Sequence, residues 1–144
     1  MSTINATNIV ADALVGNASA NAITVRGEGS ATTSLQQGLS KVWCNFVADS
    51  PSINDSFNTS SVTDGGNCDY TYNFSSNMGN DDYCPTGYVK DGGNDLFVRN
   101  CASTDADTMS ASAFQVSPAA TNASTFTTAF DPNLVCITIT GDLA

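Results

Sequence analysis

The residues of this sequence that could do chemistry are mostly carboxylates and thiols. Asp81 and Asp82 form a neighbouring acid pair. A carboxylate pair can cleave a glycosidic bond, but the two groups must flank that bond, roughly 5–9 Å apart across a cleft. Consecutive residues of an extended chain point to opposite faces, so this pair reads as a solvated turn before Tyr83. Calcium takes roughly six to eight hard oxygen ligands, and three stretches offer them: "DGGND" (Asp91 to Asp95), "DADT" (Asp105 to Thr108) and "NDD" (Asn80 to Asp82). None reproduces a complete EF-hand loop, and each reads as a turn.

Acyl-transfer chemistry is disfavoured for a different reason. A serine or cysteine nucleophile needs a base near neutrality, normally His, and the chain has no His. The five cysteines, Cys44, Cys68, Cys84, Cys101 and Cys136, include no C-x-x-C pair. Structural zinc normally requires such closely spaced pairs. The opening "MSTINATNIV" is polar, and the first cation is Arg26, so no secretory signal is read. Free, mostly buried thiols are therefore expected, and the Asn-x-Ser/Thr triplets carry no glycosylation reading. The "GEG" and "DGG" stretches lack both the pattern and the strand-to-helix setting of a phosphate loop. We expect no enzyme activity, no cofactor and no metal.

Charge narrows the partners. With 14 acidic residues against four cations the net charge is −10, which repels phosphate backbones and anionic membrane surfaces. No apolar run approaches the roughly 20 residues that span a bilayer. The expectation is a soluble protein that binds no nucleic acid and inserts in no membrane.

The elements that must position any site are strands. The acids are thirteen Asp and one Glu, and Asp, Asn, Ser, Thr and Gly favour turns and strand ends over long surface helices. In "CDYTYNF", Cys68, Tyr70, Tyr72 and Phe74 share one parity, the signature of a half-buried strand. "TDGGN" supplies a turn before it, and "SINDSFNTSSV" reads as its antiparallel hairpin partner. "KVWCNFVA", "DYCPTGYVK", "DLFVRN" and "SAFQVS" add strands. In the closing "LVCITITGDLA", Val135, Ile137 and Ile139 face one way and Cys136, Thr138 and Thr140 the other, so this strand is expected to pair within a sheet. The expected fold class is all-β, a compact antiparallel β-sandwich-like domain over residues 40–144.

Residues 1–39 differ. All twelve aromatic residues lie between Trp43 and Phe130, and the leading segment holds only isolated Ile, Val and Leu among Ala, Asn, Ser and Thr. "NAITVRGEG" alternates like a strand closed by glycines, and "IVADALVG" suits a short strand or a helical turn. Such a segment cannot by itself offset its chain entropy by burial; it is disordered or ordered against something else.

What remains is binding. Aromatic and amide groups on loops of a rigid β scaffold hold sugars and protein surfaces. Tyr83, Tyr88 and Phe97, with Asp91 and Asn94 of the Gly-rich turn, are the receptor-binding candidates; the alternative for the three aromatics is an ordinary place in the core.

Four stretches, "TTSLQQGLSKVWCNF", "INDSFNTSSVTDGGNCDYTYNFSSNM", "DYC" and "GDLA", resemble the small domain found at the C-terminal ends of bacteriophage tail-fibre-like proteins of marine type. The likeness covers residues 31–90 and 135–144; residues 91–134 are idiosyncratic, as suits a variable recognition surface. The resemblance implies a virion structural protein, made in the host cytoplasm and carried on the particle surface, that helps attach the phage to its host. It also implies a homotrimer. Three copies of residues 1–39 would then meet around a narrow axis as a thin stem or virion-attachment segment, burying Ile4, Ile9, Val10, Leu14, Val15, Ile23 and Val25 against one another. The expected partners are two further copies, another virion protein through the N-terminal segment, and a host-surface glycan or protein. A head-attached fibre or capsid decoration protein is the alternative.

Overall fold

Alternation of apolar and polar residues sets the strands of this protein, which a computed structural model describes over residues 24–26, 32–66, 69–90, 96–97, 109–117, 119–122, 125–129 and 132–143. The chain divides into two units, 1–38 and 39–144. In the first, β1 (Thr24–Arg26) pairs antiparallel with β2 (Thr32–Ser34), and one helical turn, α1 (Leu35–Gly38), follows directly. The strand expected in "NAITVRGEG" is β1. Val25 lies opposite Thr33 in this hairpin; Ile4, Ile9, Val10, Leu14, Val15 and Ile23, like the whole of "IVADALVG", lie outside the described residues.

The second unit is built from β3 (Ser40–Val47), β4 (Ser52–Phe57), β5 (Thr59–Gly66), β6 (Asp69–Phe74), β7 (Cys84–Lys90), β8 (Leu96–Phe97), β9 (Ala113–Val116), β10 (Ala119–Asn122), β11 (Thr125–Ala129) and β12 (Leu134–Thr140). Two antiparallel sheets result, one in the order β4-β3-β12-β7-β8 and one in the order β5-β6-β9, with β10 and β11 forming a separate hairpin. The architecture is all-β and sandwich-like. The last long strand, β12, sits in the middle of the larger sheet, pairing with β3 on one side and β7 on the other.

Between the sheets lies one apolar core. Val42, Cys44 and Phe46 of β3 and Val135, Ile137 and Ile139 of β12 face Tyr70, Tyr72 and Phe74 of β6 and Phe114 and Val116 of β9, all buried. The ring of Phe46 meets Tyr70 and Tyr72 edge-on, at centroid distances of 5.4 and 6.1 Å. Such pairs contribute about 0.5–1.5 kcal/mol each beyond their area. The Tyr72 hydroxyl donates to the Val135 carbonyl at 3.3 Å, joining the sheets through a polar contact inside the core. The parity read in "CDYTYNF" and "LVCITIT" is the parity observed for Tyr70, Tyr72 and Phe74 and for the whole of β12; Cys68 is not among the described residues.

One expectation is corrected. "SINDSFNTSSV" is not a single hairpin partner for "CDYTYNF": its first half is β4, paired with β3 in the larger sheet, and its second half begins β5, paired with β6 in the smaller one. The change occurs at Asn58, the one non-Gly residue at positive φ (56°) among the described residues. Asn tolerates this left-handed region better than other side-chain-bearing residues, so the strand turns a corner there and crosses from one sheet to the other. Gly66, at φ 110°, closes the β5–β6 hairpin, where its N–H donates to Asp64 Oδ1 at 2.9 Å.

A second correction concerns the thiols, expected to be mostly buried. Among those described, Cys44 is buried, Cys136 half-buried and Cys84 exposed. Alternation explains the difference: Cys44 occupies an inward position of β3, whereas Cys84 and Cys136 lie on the outward side of β7 and β12.

Candidate functional site: the outer faces of the two sheets

A sandwich buries the inner face of each sheet and leaves the outer faces to interact with other molecules. The two outer faces here differ in chemistry. On the smaller sheet the outward positions are hydroxyls and amides that satisfy one another. Asn73 Nδ2 lies 3.2 Å from both Ser61 Oγ and Thr63 Oγ1, and Gln115 Nε2 donates to Asp69 Oδ1 at 2.5 Å. This is a polar surface.

On the larger sheet, aromatic and aliphatic groups stand among polar ones. Register places Thr86, Thr138, Trp43 and Phe57 in one row across β7, β12, β3 and β4. The next row is Tyr88, Cys136, Asn45 and Asp55, and the one after it Lys90, Leu134, Val47 and Ser52. Trp43 is 36 % exposed and its cross-strand neighbour Phe57 50 % exposed. The alternation of β3 forces this: with Val42, Cys44 and Phe46 turned inward, Trp43 must point out. Polar groups brace the row, Thr86 Oγ1 donating to the Thr138 carbonyl at 3.3 Å and Thr59 Oγ1 to the Trp43 carbonyl at 3.5 Å. At β4 a register shift makes Asn54 an extra residue, and its Nδ2 donates to Asn45 Oδ1 at 3.0 Å.

The sequence-predicted binding residues do not come together on this face. Tyr88 lies on it, half-buried beside Cys136. Tyr83 does not: it is buried between the sheets, edge-on to Phe74 at 6.0 Å and to Phe114 at 6.3 Å. Its hydroxyl lies 3.0 Å from the Ala113 carbonyl and 3.2 Å from that of Ser110. Burial, against the opposing pull of the Ser110 hydrogen bond, pushes the phenol up to about 12. Tyr83 is thus the core residue of the alternative reading, not a surface contact, because its ring packs against Phe74 and Phe114 and its hydroxyl finds backbone carbonyl partners inside. Phe97 is in register with the inward-facing Val89. Asp91 and Asn94 lie outside the described residues.

Of the cation-ligand candidates, "DGGND" and "DADT" also lie outside the described residues. In "NDD" all three side chains are exposed, and the Asp82 N–H donates to Asn80 Oδ1 at 3.0 Å, which is the hydrogen bond of an Asx turn. Among the described residues no group of His, Cys, Asp or Glu is gathered closely enough to hold a metal. No described helix is long and apolar enough to cross a membrane.

The residues that sequence reasoning passed over are Trp43 and Phe57. The signal for Trp43 was present in "KVWCNFVA", where it has the parity opposite to its apolar neighbours. Nothing local marked Phe57, whose outward place depends on β4 pairing with β3. What this face can do chemically is contact: two aromatic rings flanked by Thr and Asn offer apolar area with polar groups at its border. No family model, curated protein or solved structure matches this chain.

Proposed function

We propose that this chain is a phage virion structural protein without catalytic activity, a homotrimeric tail fibre or fibre tip through which the particle engages a host surface. The observation that carries this reading is the unequal division of bulky side chains. The aromatic core belongs to the unit that begins at Leu39, and the 42 residues before Trp43 have no aromatic residue with which to build one. A segment of that composition gains order by burying its small apolar residues against copies of itself or another virion protein. The likeness of residues 31–90 and 135–144 to fibre domains supports the same role, as does a sandwich that suits a knob. A trimer also lets shallow sites suffice, because several weak contacts combine through high effective concentration.

Two measurements test this. Light scattering of the purified protein should give three times the 14.9 kDa chain mass, and gold-labelled antibodies should mark the tails of purified particles. A monomer under native conditions, or absence of the protein from purified virions, overturns the reading; labelling of heads replaces it with a capsid decoration role.

A further inference from the structure

The "DGG" of the β5–β6 turn has chemistry of its own. An aspartyl carboxyl followed by glycine is open to attack by the glycine's backbone nitrogen, because a residue without Cβ lets the two groups approach. Of the seven described aspartates, Asp64 alone precedes a glycine. The others precede Ser50, Ser56, Tyr70, Asp82, Tyr83 and Leu143, whose side chains hinder that approach. Two of these are also engaged. Asp49 Oδ2 accepts from Asn133 Nδ2 at 2.6 Å, and Asp55 Oδ1 accepts from the Ser56 N–H at 2.9 Å, so an oxygen and not the carboxyl carbon faces that nitrogen.

Three features of the fold open Asp64 to this reaction. Asp64, Gly65 and Gly66 are all exposed at the end of β5. The register passes from Asp64 opposite Tyr70 to Gly66 opposite Asp69, so Gly65 is the extra residue of a bulge. The ladder is locally disrupted at such a residue, and rotation of the Asp64–Gly65 peptide there disturbs fewer ladder bonds than it would within a regular pair. The carboxyl is also held forward: the Gly66 N–H donates to Asp64 Oδ1 at 2.9 Å, which folds the side chain over the peptide that carries the Gly65 nitrogen. Packing in turn keeps residue 65 a glycine. A Cβ there would stand 2.6 Å from Asp69 Oδ2 and 2.8 Å from Asp69 Cγ, and Gln115 Nε2 holds that carboxylate through Oδ1 at 2.5 Å. The side chain that would shield Asp64 has no room.

We propose that Asp64 is a site of spontaneous backbone modification, converting to isoaspartate in the folded protein through a succinimide formed with Gly65. The Gly65 nitrogen bonds to Asp64 Cγ, its proton and the carboxyl hydroxyl leave as water, and a cyclic imide closes. Water then opens the ring at either carbonyl. One opening restores aspartate; the other leaves the main chain running through Cγ, with the former α-carboxyl as the side chain. No atom is gained or lost overall, and neither an oxidant nor an enzyme is required. The test is to incubate the native full chain in mildly acidic water enriched in heavy oxygen, then digest it with trypsin in ordinary water. Cleavage at Lys41 and Lys90 places Asp64 in the peptide 42–90, apart from the other Asp–Gly pair at Asp91, which falls in 91–99. The expected result is a gain of one heavy oxygen in 42–90, with electron-transfer fragmentation locating isoaspartate at position 64. It should accumulate there severalfold faster than at any other described aspartate. Asp64→Ser keeps an oxygen acceptor for the Gly66 N–H and removes the carboxyl, so the signal in 42–90 should vanish while the far-UV circular dichroism spectrum is unchanged. A signal that persists in that variant belongs to another aspartate and overturns the inference. So does a chain that isomerises at Asp64 only when unfolded in urea, or under neither condition. The wild-type comparison of native and unfolded chains decides the matter even where the variant fails to fold.

Discussion

Asn58 and Ser76, eighteen residues apart, are joined by a reciprocal pair of hydrogen bonds: Asn58 Nδ2 donates to the Ser76 carbonyl at 3.0 Å, and the Ser76 N–H donates to Asn58 Oδ1 at 2.7 Å. The Ser75 N–H adds a third bond, to the Asn58 carbonyl, at 3.1 Å. The side-chain amide thus acts as a surrogate strand segment at the corner where the chain leaves the larger sheet for the smaller. Its left-handed backbone and its two amide contacts are separable contributions. Asn58→Gly retains the conformation and loses the contacts; Asn58→Ala loses both.

From this we expect Asn58→Ala to destabilise the protein by about 2–4 kcal/mol, the sum of a left-handed penalty and two net hydrogen bonds. Asn58→Gly should fall between Ala and wild type. Urea unfolding followed by circular dichroism gives the order; equal stability of the Ala and Gly variants would show that the backbone conformation contributes nothing.

Gly141 closes the end of β12 against the core. A Cβ added there would stand 2.8 Å from Tyr83 Cβ and 3.0 Å from Met78 Cε. The methionine can swing aside, but the tyrosine Cβ is fixed to backbone. Gly141→Ala is expected to destabilise by about 1–3 kcal/mol, the usual range for overpacking, and Gly141→Ala with Met78→Ala should recover little of it. Denaturant midpoints of the two variants check this.

Alkaline pH should weaken the fold through two buried groups. Burial raises Tyr83 from 10.0 to about 12 and Cys44 from 9.0 to about 11. Above the ordinary values the unfolded chain has lost protons that the folded chain still holds. The stabilisation is therefore complete below about pH 9 and is lost as pH rises through the folded values. A series of thermal unfolding curves from pH 8 to pH 12 should show Tm falling across that window. In Tyr83→Phe the part of the fall above pH 10 should shrink.

Thiol reactivity should follow the pleat. Cys84 is exposed on the outward side of β7, Cys136 is half-buried, and Cys44 is buried with a raised pKa. Since the thiolate is the reacting form, a disulfide reagent applied to Cys84→Ser, Cys136→Ser and Cys44→Ser variants should assign the fastest of these three reactions to Cys84. Cys44 should react only at the rate of unfolding, and fast native modification of Cys44 would contradict the inward assignment of β3.

Much of the core was legible as pattern. Val42, Cys44 and Phe46 alternate with Trp43 and Asn45, and Val135, Ile137 and Ile139 with Cys136 and Thr138, and these residues divide between core and surface as the alternation requires. The outward Trp43 of the candidate face belongs to the same pattern. Tyr83 was less legible, because a single aromatic between "NDD" and a strand has no period to read. It is inward through its ring contacts with Phe74 of β6 and Phe114 of β9, and the latter strand lies about thirty residues further along the chain.

The amino-acid order by itself determined which segments are strands and which of their sides is apolar, since the pleat imposes a period of two on any extended chain. It also determined the poverty of large side chains before Trp43. Tertiary structure alone decided partnership: that β12 lies between β3 and β7, that "SINDSFNTSSV" divides between two sheets at Asn58, and that Phe57 stands beside Trp43. The reason is that a strand's alternation is the same whichever neighbour it takes. The neighbour is chosen by the long-range pairing that closes both sheets over one core, and no local window contains that choice.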